Sequence, residues 1–272
     1  MSSERFVAAV SNPASVEPIT RIGCALARAN NGSLILTSVT NVPERIPATD
    51  NHPLASQSEA VIERALSVAD SLGVSADGRI PPSHKPSRSI VSLVEKIDAT
   101  GLILGANEHV PFEQSLLGRT FLERVINQAP CDVFVEQIGP VSALPGDSVL
   151  VPIAGGTHAD TVTDVAVDIG RAYDMDIHPV TVVSPDTDVH QIAQTEQRLR
   201  TRFSDDIAAT SEPSVIPNED VVGTLVELTG DHDVTVMGAT AESTATKLMS
   251  GTVPAGLAKR SQNTLLLVDS TP

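Results

Sequence analysis

Tryptophan is absent from this 272-residue sequence, tyrosine occurs once and phenylalanine five times. Without aromatic bulk, the core has to be filled by Val, Ile, Leu and Ala. Lysine is nearly absent as well, confined to Lys85, Lys96, Lys247 and Lys259. Lys plus Arg total 18 against 34 Asp plus Glu, a formal net charge of −16. A chain so charged repels nucleic-acid phosphates, and it has no basic run to act as a footprint, so a nucleic-acid partner is excluded. The acids are scattered, which reads as a solvated shell suited to a high-salt interior, where the Debye length falls to ~3 Å; an acidic partner surface is the alternative. Only Cys24 and Cys131 carry thiols. They form no CxxC pair or metal set and fit free, buried thiols of a reducing cytoplasm. No apolar run approaches the ~20 residues that span a bilayer, so no direct membrane insertion is expected. Met1-Ser2-Ser3-Glu4-Arg5 leads into an apolar run too short for a signal peptide, and a cytoplasmic location is expected.

What is present is a repeat. Phe6 to Val10 is a short apolar run followed by Ser11, Asn12 and Pro13, and Val149 to Ile153 is another, followed by Ala154, Gly155 and Gly156. Both read as buried parallel strands. Val16, Ile19, Ile22, Leu26 and Ala29 then recur at helical spacing, with Asn31-Gly32 as the stop, and Val162, Val165, Ala166, Ile169 and Ala172 form the same stripe. Second strands are expected at 34–39 and 177–183, and second helices at 58–72 and 189–203. Third strands fall near 74–80 and 214–216, third helices at 88–97 and 219–228, and fourth strands at 101–104 and 234–237. The closing strands are 133–135 and 265–268. The first strands lie 143 residues apart and the fourth strands 133, the difference being mostly a long first-copy loop, 41–56, with Pro43, Pro47 and Pro53.

Alternating strands and helices imply parallel sheets covered on both faces. The fold class is therefore α/β: two tandem doubly wound parallel-sheet domains, residues 1–138 and 148–272, joined by a Gly/Pro-containing linker at 139–147. Ligands of such sheets bind beyond the carboxyl ends of the strands, where strand order reverses.

The loop after the fourth strand carries the most information. In the second copy Gly238-Ala239-Thr240-Ala241 is followed, nine residues on, by Gly251-Thr252-Val253-Pro254; in the first, Gly105-Ala106-Asn107-Glu108 is followed by Gly118-Arg119-Thr120. Glycine at a strand end lets backbone N–H groups approach a phosphate, and a helix opening at the second cluster favours an anion. The plainer reading is a tight turn, with Thr252 as a helix cap and Pro254 in the first turn.

With this spacing, found twice, the chain resembles the universal stress protein family, whose ATP-binding members carry G-x2-G-x9-G-[ST] here; Ala241 replaces the second glycine. The resemblance implies a flavodoxin-like, HUP-type (adenine nucleotide alpha hydrolase-like) fold packed as a pseudo-dimer through the closing strands, and the charge balance suits a haloarchaeal source. It also implies an ATP or AMP site (with Mg if ATP) in the second copy. That site takes Ala154, Gly155, Gly156, Val182, Gly238, Ala239, Ala241, Gly251, Thr252 and Val253. The weaker first-copy equivalents are Ser11, Val39, Gly105, Gly118, Arg119 and Thr120. The family's Asp at the end of strand one is replaced by Ser11 and Ala154, and Glu108 puts a negative charge where a phosphate would lie, so the first copy is not expected to bind ATP. Some family members instead serve partners such as membrane transporters, and a protein partner or homo-oligomer is the alternative.

Other chemistry is sparse. The seven histidines show no HExxH spacing, and GxSxG, Walker A and GxGxxG are missing. His158 follows the second copy's first strand and reads as either an exposed loop histidine or a pocket-facing one. No acid–base pair stands out, so an enzyme is not expected; slow ATP hydrolysis is the least favoured reading.

Overall fold

The computed structural model describes residues 4–49, 52–106, 116–139, 144–156, 158–203, 212–239 and 252–270; the side chains of 116–120 lie outside that description. Contacts divide the chain into a first unit ending at Glu136 and a second running from Gln137 to Ser270.

In the first unit β1 (Arg5–Ala9), α1 (Val16–Ala29) and β2 (Ser33–Thr37) lead to the short β3 (Thr40–Asn41), then α2 (Ser56–Ser71), β4 (Ala76–Arg79) and β5 (Pro82–Ser83). α3 (Pro86–Ile97), β6 (Gly101–Ala106), α4 (Leu116–Gln128) and β7 (Asp132–Gln137) complete it. The second unit has β8 (Ser148–Pro152), α5 (Ala159–Tyr173), β9 (Asp176–Val183), α6 (Val189–Phe203) and β10 (Ser214–Pro217). It closes with α7 (Val221–Thr229), β11 (Val234–Gly238), α8 (Val253–Arg260) and β12 (Thr264–Asp269).

Strand order is β4-β2-β1-β6-β7 in the first unit and β10-β9-β8-β11-β12 in the second. The pairs flanking each first strand are parallel: Phe6 faces Leu34 and Gly101, and Val149 faces Ile177 and Val234. In each unit the chain winds outward one way from the first strand, then returns to its other side with the fourth. The reversal leaves a crevice above the first and fourth strands, the place where such sheets hold ligands.

The inner strands, such as β1, β6, β8 and β11, are apolar because both faces are covered. Val7, Leu36 and Ile103 are fully buried in the first unit, as are Leu150, Ile177, Val236 and Leu266 in the second. Each such side chain contributes about 1.5–3 kcal/mol through burial. On α1, Val16, Ile19, Ile22 and Leu26 form the buried stripe. That helix ends at Ala29, and Asn31, not Gly32, takes the left-handed conformation at φ 48°. Gly32 serves a close approach instead: a Cβ there would lie 2.6 Å from Glu4 O.

Two differences from the expected elements bear on the site. β2 stops at Thr37, so Val39 lies between β2 and β3 and is not a sheet residue, whereas β9 runs on to Val183. β4 pairs with β2 over Leu34–Thr37, while β10 pairs with β9 over Val180–Val183, further toward the carboxyl ends. The long first-unit loop is also not structureless. β3 pairs with β5, Val42 N donates to Ser83 O at 3.0 Å, and His84 Nδ1 lies 2.9 Å from Val42 O. His52 is buried, and its Nδ1 accepts from Leu54 N at 3.2 Å. Backbone pairing holds the start of this loop, at Thr40 to Val42.

Candidate functional site

A cavity of about 260 Å³ opens above the carboxyl ends of β8, β9 and β11 in the second unit. Its floor is Ile153, Val180 and Val182, and Val221 and Leu225 of α7 close one side. Ala154, Gly155, Gly156, Gly238, Ala239 and Val253, all expected site residues, line it as well. Ala241 and Gly251 lie outside the described residues.

Gly155 and Gly156 shape the mouth. Both have positive φ, 82° and 98°, and a Cβ on either would meet open space. The backbone conformation, not crowding, requires glycine here. The result is a slim edge bearing only main-chain groups beside the cavity.

Strand register supplies the next element. Val180 O accepts from Ile153 N at 2.8 Å, so the main-chain groups of Val180 face β8. Successive residues of a strand alternate sides, so the N–H and C=O of Val182 face that way too. The pairing of β8 with β9 ends at Pro152 and Val180. Val182 therefore presents a donor and an acceptor, side by side, past the end of β8, and Val182 lines the cavity. Thr181 Oγ1 ties down the strand end by donating to Ile153 O at 2.6 Å.

At the opposite side α8 begins with Thr252 as its N-cap, whose Oγ1 accepts from Ala255 N at 3.4 Å. Val253 and Pro254 follow and line the cavity. Helix N-termini present free N–H groups and the positive end of the dipole.

Histidine 158 was not separated by sequence from an ordinary loop histidine. It is half-buried, precedes the first turn of α5 and lines the cavity. Its Nδ1 accepts from Ser270 N at 3.2 Å and lies 2.6 Å from Ser270 Oγ. Ser270 is 112 positions away in sequence, and no local signal linked the two. A Cβ on Gly238 would lie 3.1 Å from His158 Cβ, so the glycine that ends β11 makes room for this side chain.

The first unit places the equivalent residues differently. Ser11, Asn12 and Pro13 stand where the second unit has Ala154, Gly155 and Gly156. Asn12 folds the loop on itself: its Oδ1 accepts from Ala14 N at 3.1 Å and its carbonyl from Ser15 N at 3.0 Å. Gly105 faces α1, where a Cβ would lie 2.6 Å from Ile19 Cδ1. Gly118, Arg119 and Thr120 fall inside α4, which starts at Leu116, and so do not precede its N-terminus as the motif reading expected.

Among the described residues, the other titratable groups do not line the cavity. Burial pushes the Cys24 thiol up to about 11 and the Cys131 thiol to about 12, which makes both poor nucleophiles. His178 titrates lower than an ordinary histidine, first because it is buried and then because His232 is beside it. Among the described residues no His, Cys, Asp and Glu group could hold a metal, and no helix is long and apolar enough to cross a membrane.

The winding order and the crevice at the strand-order reversal place both units among doubly wound α/β domains. Residues 3–135, essentially the whole first unit, match the family model described as the universal stress protein family. That match covers the first unit, and the second unit repeats its winding. No curated protein matches the sequence. Among solved structures, a universal stress protein from Archaeoglobus fulgidus DSM 4304 is 15% identical with a TM-score of 0.67, covering 99% of this chain and 97% of its own. The cytoplasmic domain of a prokaryotic cation chloride cotransporter is 11% identical with a TM-score of 0.62, covering 99% and 96%. A universal stress protein from Archaeoglobus fulgidus in complex with dAMP is 17% identical with a TM-score of 0.39, covering 49% and 97%, too distant for its ligand to transfer.

Proposed function

We propose that this universal stress protein is a binding and regulatory protein of two domains, 1–138 and 148–272, joined at 139–147. Its second domain takes an adenine nucleotide, ATP or AMP. The observation that supports this most is the Val182 main-chain pair at the floor of an apolar cavity. A donor beside an acceptor complements the edge of a purine six-membered ring, and the valine and isoleucine side chains around it suit the faces of a flat base. Gly155, Gly156, Gly238 and Ala239 leave main-chain room for the sugar and first phosphate, and the α8 start, with Thr252 and Gly251 before it, suits an anion. Ala154 contributes no carboxylate, so among the described residues the base edge is left to Val182. Magnesium, where ATP is the ligand, arrives on the triphosphate.

The test is calorimetric titration with ATP and AMP, with and without magnesium, together with a melting curve. A ligand at a hundred times its dissociation constant stabilises by ~2.7 kcal/mol, which corresponds to roughly 5–10 °C here. Absence of heat at millimolar nucleotide rejects the reading.

A second reading is favoured by the side chains themselves. With no carboxylate at Ala154 and an almost wholly apolar cavity, the protein acts as a module that engages a protein partner, a membrane transporter or another copy. A transporter's cytoplasmic domain does share this fold. Unchanged partner capture in nucleotide-free protein distinguishes the two.

A further inference from the structure

Among the described residues that line the cavity, His158 has the only side chain able to donate a hydrogen bond. Its state follows from its partner. A main-chain N–H can only donate, so Ser270 N requires a lone pair on His158 Nδ1. In the neutral ring the proton then sits on Nε2. No described residue accepts from Nε2, and the imidazole borders the cavity, so this N–H is the donor left for a ligand. The ring is held by two contacts to Ser270 at the end of β12 and backed by Gly238, where its own Cβ fits closely. It stands at the junction of β8 and β11, the strand-reversal point, and lines the cavity.

Resting on the nucleotide reading above, we propose that His158 is the phosphate-reading residue of this cavity. Its Nε2–H donates to an anionic oxygen of the first phosphate, and Ser270 is the positioning residue that fixes ring and tautomer. The ligand class is thereby narrowed to nucleotides over nucleosides. The first unit has Ser15 at the equivalent place, and its hydroxyl is turned back to Asn12 O at 3.1 Å. The two units therefore differ in this donor as well as in their glycines.

The experiment is calorimetry of the full chain with AMP and with adenosine, on wild type, His158→Ala, His158→Gln and Ser270→Ala. His158→Ala is expected to weaken AMP about tenfold or more, the range of a hydrogen bond to a charged group, and adenosine less than about twofold. His158→Gln, which keeps an N–H donor of similar reach, should recover much of the loss. Ser270→Ala should lower the AMP-to-adenosine ratio in the same direction by a smaller factor, a change that a merely structural role would not produce. Melting curves without ligand separate folding losses, and His158→Gln guards against a variant that fails to fold. Equal losses for AMP and adenosine, or no loss for AMP, overturn the proposal while leaving the nucleotide reading intact. Wild-type protein that binds neither compound rejects the nucleotide reading and this proposal with it.

Discussion

The loop after β1 and the loop after β8 leave their sheets in the same way. Val10 N donates to Thr37 O at 2.9 Å, and Ile153 N donates to Val180 O at 2.8 Å. From that shared exit they diverge within three residues. At Asn12-Pro13 the asparagine Oδ1 accepts from Ala14 N and its carbonyl from Ser15 N. Gly155-Gly156, in a backbone conformation that proline cannot adopt, borders the cavity. The far sides differ as well, since α4 has already begun where α8 is only being capped. One winding order thus carries a loop that hydrogen-bonds onto itself and a loop that borders a cavity. Fold membership alone does not fix the shape of this loop; a few turn residues do.

The largest effect expected from breaking this comparison is an exchange of the two dipeptides. Replacing Gly155-Gly156 with Asn-Pro forces φ from 98° toward about −65° at the second position, which costs the second unit roughly 1–3 kcal/mol and tilts the loop into the cavity. The nucleotide-induced rise in melting temperature should disappear, and the ligand-free melting curve accounts for the folding cost. The reciprocal change, Asn12-Pro13 to Gly-Gly, should cost about 1 kcal/mol through added chain entropy and create no binding. Binding gained by the first unit would show that the loop alone separates the two.

Much of this was legible in the sequence, for identifiable reasons. Apolar runs such as Val149 to Ile153 and helical stripes such as Val16, Ile19, Ile22 and Leu26 are set by burial, which acts residue by residue and leaves a periodic trace. The glycine pair at 155–156 was legible because positive φ has few alternatives. The Val182 main-chain groups were not, because their direction depends on register with β8 and any residue could stand there. The His158–Ser270 pair was invisible for a related reason: two common polar residues far apart in sequence meet only after β8 and β12 are placed. The tether between β3 and β5 escaped because prolines obscure short pairings.

A smaller effect separates the units by pH at the alkaline end. Both thiols belong to the first unit, and burial raises Cys24 to about 11 and Cys131 to about 12. In the unfolded chain a thiol titrates near ~8.5. Keeping these groups neutral therefore contributes stability in full below about pH 8.5, lost as pH climbs toward the folded values. Denaturant midpoints should fall between pH 8 and 10.5, and a Cys24→Ala, Cys131→Ala double variant should show a flatter profile over that range. At pH 8 a chromogenic disulfide reagent should label neither thiol in folded protein and both after denaturation. Rapid labelling of native protein would contradict the burial on which this rests.

The smallest effect lies at the acid end and belongs to the second unit. His178 and His232 stack with ring centroids 4.6 Å apart and planes tilted by 35°. Burial, then the neighbouring His232, lowers the titration of His178, and Asp176 opposes them in part. An unfolded histidine titrates near ~6.5. A depressed value means that the folded state resists protonation, so the stability is present above ~6.5 and is lost as pH falls through the lower folded value. The ring is partly exposed and solvent screens its neighbour, so the expected change is roughly 1–2 °C in melting temperature between pH 7 and pH 5. His232→Gln removes one of the two causes and should make that slope shallower, leaving the burial effect on His178. Proton resonances of the His178 ring, followed against pH in wild type and variant, measure the shift directly. A titration midpoint unchanged by the substitution would assign the whole depression to burial and leave the stacked pair without electrostatic consequence.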